Sequence, residues 1–201
     1  MTALKTAPKS TAYPGPGSSD FYWTLERYLR AIRNGTLDED DRVELLFGRI
    51  IEKMPVNSPH AACVSKVKRC LRRFDDDYII RTENPIQLPN DSMPEPDCVV
   101  AVFREDFYAT RHPKAEEVYL VVEVSDSTLD TDRTVKRLAY AFAGIAEYWI
   151  VNIRDRRLEL HREPDEENGS YLSVTQHKEG QTVDSPFAGM VAVSDLLPSV
   201  S

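Results

Sequence analysis

The sequence predicts an α+β fold in which helices flank a mixed β-sheet. Three observations carry that expectation. Residues 96–103 and 118–125 are apolar on both faces, the pattern of central strands covered from both sides. Residues 58–74 and 129–143, before and after those strands, repeat their apolar side chains at the helical period. The strands also come in runs, unlike the strict strand–helix alternation of a doubly wound fold.

Taken in order, residues 1–20 hold Pro8, Pro14, Gly15, Pro16 and Gly17 with no period of 2 or 3.6. They read as a flexible tail ahead of one domain over residues 21–201. Thr24 is a candidate cap for a short helix in which Leu25, Tyr28, Leu29 and Ile32 recur at i, i+3, i+4 and i+7, ending near Asn34-Gly35. Val43–Leu46 and Arg49–Glu52 flank Phe47-Gly48 as a hairpin. Ser58-Pro59 opens the next helix as cap residue and first helical proline. Its apolar face carries Val64, Val67, Leu71 and Phe74, and its other face Lys66, Lys68, Arg69, Arg72 and Arg73. His60 falls in the first turn on the apolar face, pointing inward. Strands are expected over 78–88, 96–103 and 118–125. A helix over 129–143 follows, with Val135, Leu138, Ala139 and Phe142 as its stripe and Gly144 as its stop. Strands over 148–153 and 157–161 join across Asp155-Arg156, and 164–169 reads as a charged loop. Weak β and a short turn complete the chain to Leu197.

Composition narrows the function. The chain has 201 residues, 41% hydrophobic and 29% charged, an ordinary balance for one globular domain. Its longest apolar runs, 98–103 and 118–122, fall far short of the ~20 residues that span a bilayer. No basic-then-apolar leader opens it, so a cytoplasmic protein without a membrane partner is expected. Three cysteines with no C-x-x-C pair fit a reducing compartment and argue against a disulfide framework or a thiolate zinc site. Lys and Arg total 25 against 33 Asp and Glu, a net charge of −8. Such a chain is no general nucleic-acid coat, and contact with phosphate requires a local basic patch. The basic face of helix 58–74 is that patch, with Lys66, Arg69, Arg72 and Arg73 as phosphate contacts; a solvated face balancing Asp75, Asp76 and Asp77 is the alternative.

Asp97 and Glu123 stand out because they interrupt the two most apolar strands. A carboxylate there loses hydration, at a cost, unless it is paired or binds a cation. In neighbouring strands the two would converge, and a divalent cation would relieve their repulsion. Oxygen donors without thiolates favour Mg²⁺ or Mn²⁺ over zinc. Without a metal, Asp97 would cap its strand and Glu123 would pair with an arginine. Asp132, Lys136 and Tyr140 recur at i, i+4 and i+8 on one helix stripe, which points Lys136 along the sheet edge toward Glu123; an exposed Asp132–Lys136 pair is the alternative, worth only ~0.3–0.5 kcal/mol. Ser125 has no histidine in a triad pattern, so a serine hydrolase is not expected. His112, His161 and His177 read as surface residues, the cysteines as core fillers, and Trp149 as core.

Taken together, PEPDCVV, VVEVSDST, DRTVKRLAY and GIAEYWIV resemble the Uma-type putative restriction endonucleases, of the nuclease superfamily with the P-D…(D/E)-x-K signature. The resemblance spans roughly residues 21–197 and includes GRIIEKM and the Ser-Pro-His helix start. It implies a Mg²⁺- or Mn²⁺-dependent endonuclease acting on DNA, with Asp97 and Glu123 holding the metal. The superfamily's E-x-K would place its lysine at 125, where this chain has Ser125. Lys136 occupies the place from which the family supplies it, to orient or deprotonate the attacking water. Glu52 and His60 match acidic and histidine positions near the family's site as auxiliary residues; Tyr140 is a third auxiliary candidate, as a hydrogen-bond donor to a site carboxylate, with a half-buried core tyrosine as the alternative. Phe47 replaces the acid common in the family's hairpin turn, and Glu44 is read as structural. The resemblance also allows a homodimer. Two other readings stay open: a silent nuclease-like fold serving as a binding module, and a hydrolase of small phosphoesters.

Overall fold

The expected α+β architecture is present, built on a longer sheet than the pattern suggested. The computed structural model describes residues 21–72 and 77–199; the proposed tail and Arg73 lie outside them. Thr24 caps α1 (Leu25–Arg33), its hydroxyl accepting from Arg27 N at 3.3 Å. The helix lays Tyr28 on Leu45 and Met93, while Ile32 stays exposed. β1 (Val43–Leu46) and β2 (Arg49–Glu52) form the antiparallel hairpin expected, its turn made by Phe47 and Gly48 at φ 51° and 72°. Positive φ at glycine costs nothing; at Phe47 it is held by burial of the ring against Phe142 and by Ser92 Oγ accepting from Phe47 N.

α2 (Ser58–Leu71) begins one residue earlier than expected. Its cap is Asn57, whose side chain accepts from His60 N at 3.0 Å, so Ser58 is already helical. β3 (Tyr78–Thr82) ends where Glu83 takes φ 53° and Pro85 removes a donor, which shortens the strand expected over 78–88. β4 (Cys98–Val102) and β5 (Val118–Ser125) follow, both almost wholly buried. The helix expected over 129–143 is three pieces on one path: α3 (Leu129–Thr131), a π-turn (Asp132–Lys136) and α4 (Arg137–Phe142). β6 (Glu147–Asn152), β7 (Arg157–Asp165) and β8 (Ser170–Lys178) extend the sheet, so residues 164–169 are partly strand. A second hairpin, β9 (Thr182–Ser185) with β10 (Gly189–Ala192), and α5 (Val193–Leu196) close the described chain.

The six strands lie in the order β3-β4-β5-β6-β7-β8, antiparallel throughout except for the parallel pair β5–β6. The helical segment 129–142 makes that parallel crossover and covers one face of the sheet. α2, α5 and the second hairpin cover the other. Alternation along β5 sends Val122 and Val124 to the α2 side and Val121 to the α4 side. Glu123 therefore points toward the α4 side, and that choice of face positions the site.

Candidate active site

The register of β4 against β5 brings the two interrupting carboxylates together. Cys98 lies opposite Val122, so Asp97, one residue earlier on an antiparallel strand, faces the Glu123 position. Asp97 Oδ2 accepts from Val124 N at 2.7 Å, which fixes the carboxylate at the end of the sheet. On its other side, His60 Nε2 lies 3.3 Å from Asp97 Oδ1, carried there by the first turn of α2. Burial disfavours charge on His60, but the hydrogen bond to Asp97 and the nearby charges of Asp97, Glu83 and Asp132 outweigh it and raise its pKa.

Glu123 is 3% exposed and has two partners on one oxygen: Lys136 Nζ at 3.0 Å and the Tyr140 hydroxyl at 2.6 Å, both donating to Oε1. Burial pushes the Glu123 pKa well above the usual carboxylate range; Lys136 pulls it back, while Asp97, Asp132 and Glu44 push it further up. Lys136 reaches past Glu123 to Glu44 Oε1 at 3.5 Å. Burial disfavours its charge, yet Glu123, Glu44, Asp132 and Asp97 hold its pKa well above the ordinary lysine value. The π-turn separates the side chains of Asp132 and Lys136. Asp132 accepts from Ser125 Oγ at 2.5 Å and Thr128 Oγ1 at 2.7 Å, and the i,i+4 ion pair considered from the sequence does not form. π-turns of this kind recur at functional sites.

These groups line a cleft of about 330 Å³ at the end of the sheet. Glu52 lies in its wall as an exposed side chain, and Tyr140 is fully buried behind Glu123. The sequence reading missed Glu44. It is 4% exposed, points into the cleft from β1, and accepts from Glu95 N through Oε2 at 3.0 Å. Its signal was the one that marked Glu123, an acid inside an apolar strand. Ser125 also has a clear position here, holding Asp132 where the superfamily signature would place a lysine.

The donor chemistry suits a hard divalent cation. Asp97, Glu123 and Glu44 offer oxygens only; burial raises the Glu123 pKa first of all, and the neighbouring carboxylates add to it against Lys136. Among the described residues no group of three or more His, Cys, Asp or Glu side chains is placed to hold a metal ion. Mg²⁺ is commonly held by one or two carboxylates, with water and substrate oxygens completing its shell.

The basic residues of α2 are not drawn into the cleft. Arg69 lies about 13 Å along the helix from His60. Lys66 and Arg69 line a shallow depression with Asp195, Arg72 is exposed, and Arg73 lies outside the described residues. Lys68 Nζ instead donates to Thr82 Oγ1 on β3. Two other sequence expectations need adjustment. His161 is 3% exposed, packed between the rings of Tyr148 and Tyr171, and not a surface residue. Cys63, Cys98 and Trp149 are buried as expected, while Cys70 is only half-buried. Among the described residues no helix is long and apolar enough to cross a membrane.

Comparison with known proteins adds two findings. A family model described as Uma2, putative restriction endonuclease, matches residues 25–194. The fold is similar to the crystal structure of a putative nuclease belonging to DUF820 from Anabaena variabilis. That similarity has a TM-score of 0.64 and 17% sequence identity, covering 86% of this chain and 96% of the other. Among curated proteins, none matches the chain.

Proposed function

Because the chain belongs to the Uma2 family of putative restriction endonucleases, we propose that it is a divalent-metal-dependent nuclease that hydrolyses DNA phosphodiester bonds in the cleft of Asp97, Glu123 and Lys136. The observation that carries this reading is the convergence of Asp97 with Glu123 and the Lys136 ammonium 3.0 Å from Glu123. Asp97 and Glu123 would hold Mg²⁺ or Mn²⁺. When bound, the cation would acidify a water and act as a Lewis acid toward phosphoryl oxygens.

The chain's own residues do the rest. In the substrate, an oxygen of water bonds to phosphorus as one ester P–O bond breaks; the water gives up a proton to solvent, the departing oxygen takes one from solvent, and negative charge gathers on the phosphoryl oxygens in between. Lys136 has three N–H donors beside this position and, as a charged ammonium, serves as a donor: it orients the water and offsets that charge. Of the two roles the resemblance allowed it, deprotonating the water would require it to be neutral. Tyr140 fixes the rotamer of Glu123, and His60 holds Asp97 from the opposite side. Glu52 stands at the rim as an auxiliary acid, and the basic face of α2 would meet phosphates flanking the scissile one.

Ser125 at the E-x-K position favours a second reading, a nuclease-like fold that binds DNA without cutting it. Supercoiled plasmid and a small phosphodiester, each incubated with Mg²⁺ or Mn²⁺, separate the readings. The nuclease reading expects nicked or linear plasmid with the parent protein, and its loss with chelator and with Asp97→Asn. Hydrolysis of the small ester alone would make the protein a phosphoesterase. Binding of DNA without cleavage of either substrate would favour the silent fold.

A further inference from the structure

We infer that Arg81, with Arg104 and Arg111 gathered around one tyrosine ring, forms a phosphate-binding site that holds a DNA strand beside the cleft; the identity of the ligand rests on the nuclease reading. The guanidinium carbons of Arg81, Arg104 and Arg111 lie 5.6, 5.3 and 5.5 Å from the centroid of the Tyr108 ring. Tyr108 itself is buried and its hydroxyl donates to Val102 O at 2.9 Å, so the platform is fixed to the end of β4.

Three like charges around one ring repel, and only two are compensated. Arg104 makes a two-pronged contact with Asp106, at 2.8 and 3.1 Å, and Arg111 another with Glu117, at 2.5 and 2.6 Å. Among the described residues no carboxylate pairs with Arg81. Among the described residues its Nε is buried without an acceptor, and the aromatic face of Tyr108 is its contact. His112, next in sequence to Arg111, likewise has a buried Nδ1 without a partner. Half-buried, unpaired guanidinium is costly unless an anion completes it. A phosphodiester supplies two oxygens in the geometry of the guanidinium fork, which makes it the matching ligand class.

Placement selects DNA over a free anion. Arg81 lies opposite Val99 in the β3–β4 ladder, and Val99 belongs to the α4-side core, the side to which Glu123 points. Two residues further along, Glu83 N bonds to the backbone oxygens of Pro96 and Asp97 and its side chain lines the cleft. Arg81 is therefore about 7 Å of strand from the mouth of the site. β3 is an edge strand; Thr82, which Lys68 reaches, points to the opposite face from Arg81, so this edge carries a cation on each of its faces in an otherwise acidic molecule. A strand whose scissile phosphate sits at Asp97 and Glu123 would pass over this edge.

The test is steady-state cleavage of duplex DNA by the parent and by Arg81→Gln across a salt series. The expected result is a KM about tenfold higher with kcat within twofold. The slope of log(kcat/KM) against log salt should shrink by about 0.9, the contribution of one neutralised phosphate. Arg81→Lys should recover the slope and only part of the KM. Unchanged KM and slope in Arg81→Gln while the parent cuts DNA would overturn the site and leave the nuclease reading intact. A lowered melting temperature with a matching fall in kcat would make Arg81 a structural residue and also overturn it. A parent that cuts no DNA would instead remove the nuclease reading, and this inference with it.

Discussion

At Lys136, burial and charge act in opposite directions, and four acids decide the balance. The ammonium is held by Glu123 at 3.0 Å and Glu44 at 3.5 Å, with Asp132 and Asp97 adding to the field. Replacing it by methionine keeps the volume but leaves buried carboxylates without a counter-charge. Lys136→Met should therefore lower turnover by ~10²-fold or more and stability by about 3 kcal/mol, read from cleavage rates and a urea titration. Lost turnover with unchanged stability would mean that Lys136 is not the counter-ion of these acids. His161 supports a prediction of opposite kind. Burial, with smaller contributions from Arg137 and Arg133 and against Glu159, lowers its pKa from 6.5 to about 4. Between those values the unfolded chain binds a proton that the folded chain does not, so stability falls as pH drops from about 6.5 toward 4. At about 1.4 kcal/mol per pH unit, that amounts to roughly 3 kcal/mol. His161→Phe should flatten the dependence of melting temperature on pH in this window; an unchanged acid limb would show that another group controls it. Asp97, Glu123 and Lys136 were legible because an acid in an apolar strand, or a lysine beside an apolar stripe, violates its local pattern. Glu44 violates it too, but in a strand of four residues the pattern is too short to register. His161 was not legible, since the rings that bury it come from Tyr148 and Tyr171 on neighbouring strands.

Among the elements, α2 serves two ends differently. Its first turn, capped by Asn57, delivers His60 to Asp97, and its last two turns carry Lys66, Arg69 and Arg72 away from the cleft. If that distal face meets phosphates flanking the cut, Arg69→Ala with Arg72→Ala should weaken DNA binding equally for unrelated sequences. The salt slope should then shrink by about 0.9 for each phosphate no longer neutralised. A double variant with the parent's slope would leave the face merely solvated. The hairpin 43–52 and strand 118–125 could be read from the sequence to the residue, because a two-residue turn and a doubly covered strand leave little freedom. Helix 129–143 was legible as a helical path but not as a π-turn. One inserted residue barely disturbs an averaged 3.6 period, although it is what turns Asp132 toward Ser125 and Lys136 toward Glu123. β7 and β8 run longer than expected because much of their length is polar and only partly buried, so the apolar alternation that marks a strand is diluted.

At the scale of the whole molecule, the parallel β5–β6 pair obliges the chain to cross over one face of the sheet, and that crossover carries Lys136 and Tyr140 to Glu123. The site is thus a product of topology as well as of residue choice. The order of six strands lay beyond the sequence, since no local pattern records which edges meet; the mixed, helix-flanked class did not. The net charge of −8 repels a polyanion on average. On the proposed reading, an acidic cleft would need local cations for its substrate and a divalent ion for its chemistry. The measurement that tests this most directly is anomalous diffraction from a crystal soaked in Mn²⁺. The account predicts one anomalous peak in the cleft, bonded to oxygens of both Asp97 and Glu123 at ~2.0–2.2 Å, the range for a small hard cation. A peak bonded to neither carboxylate, or a cleft without one at millimolar Mn²⁺, would contradict it.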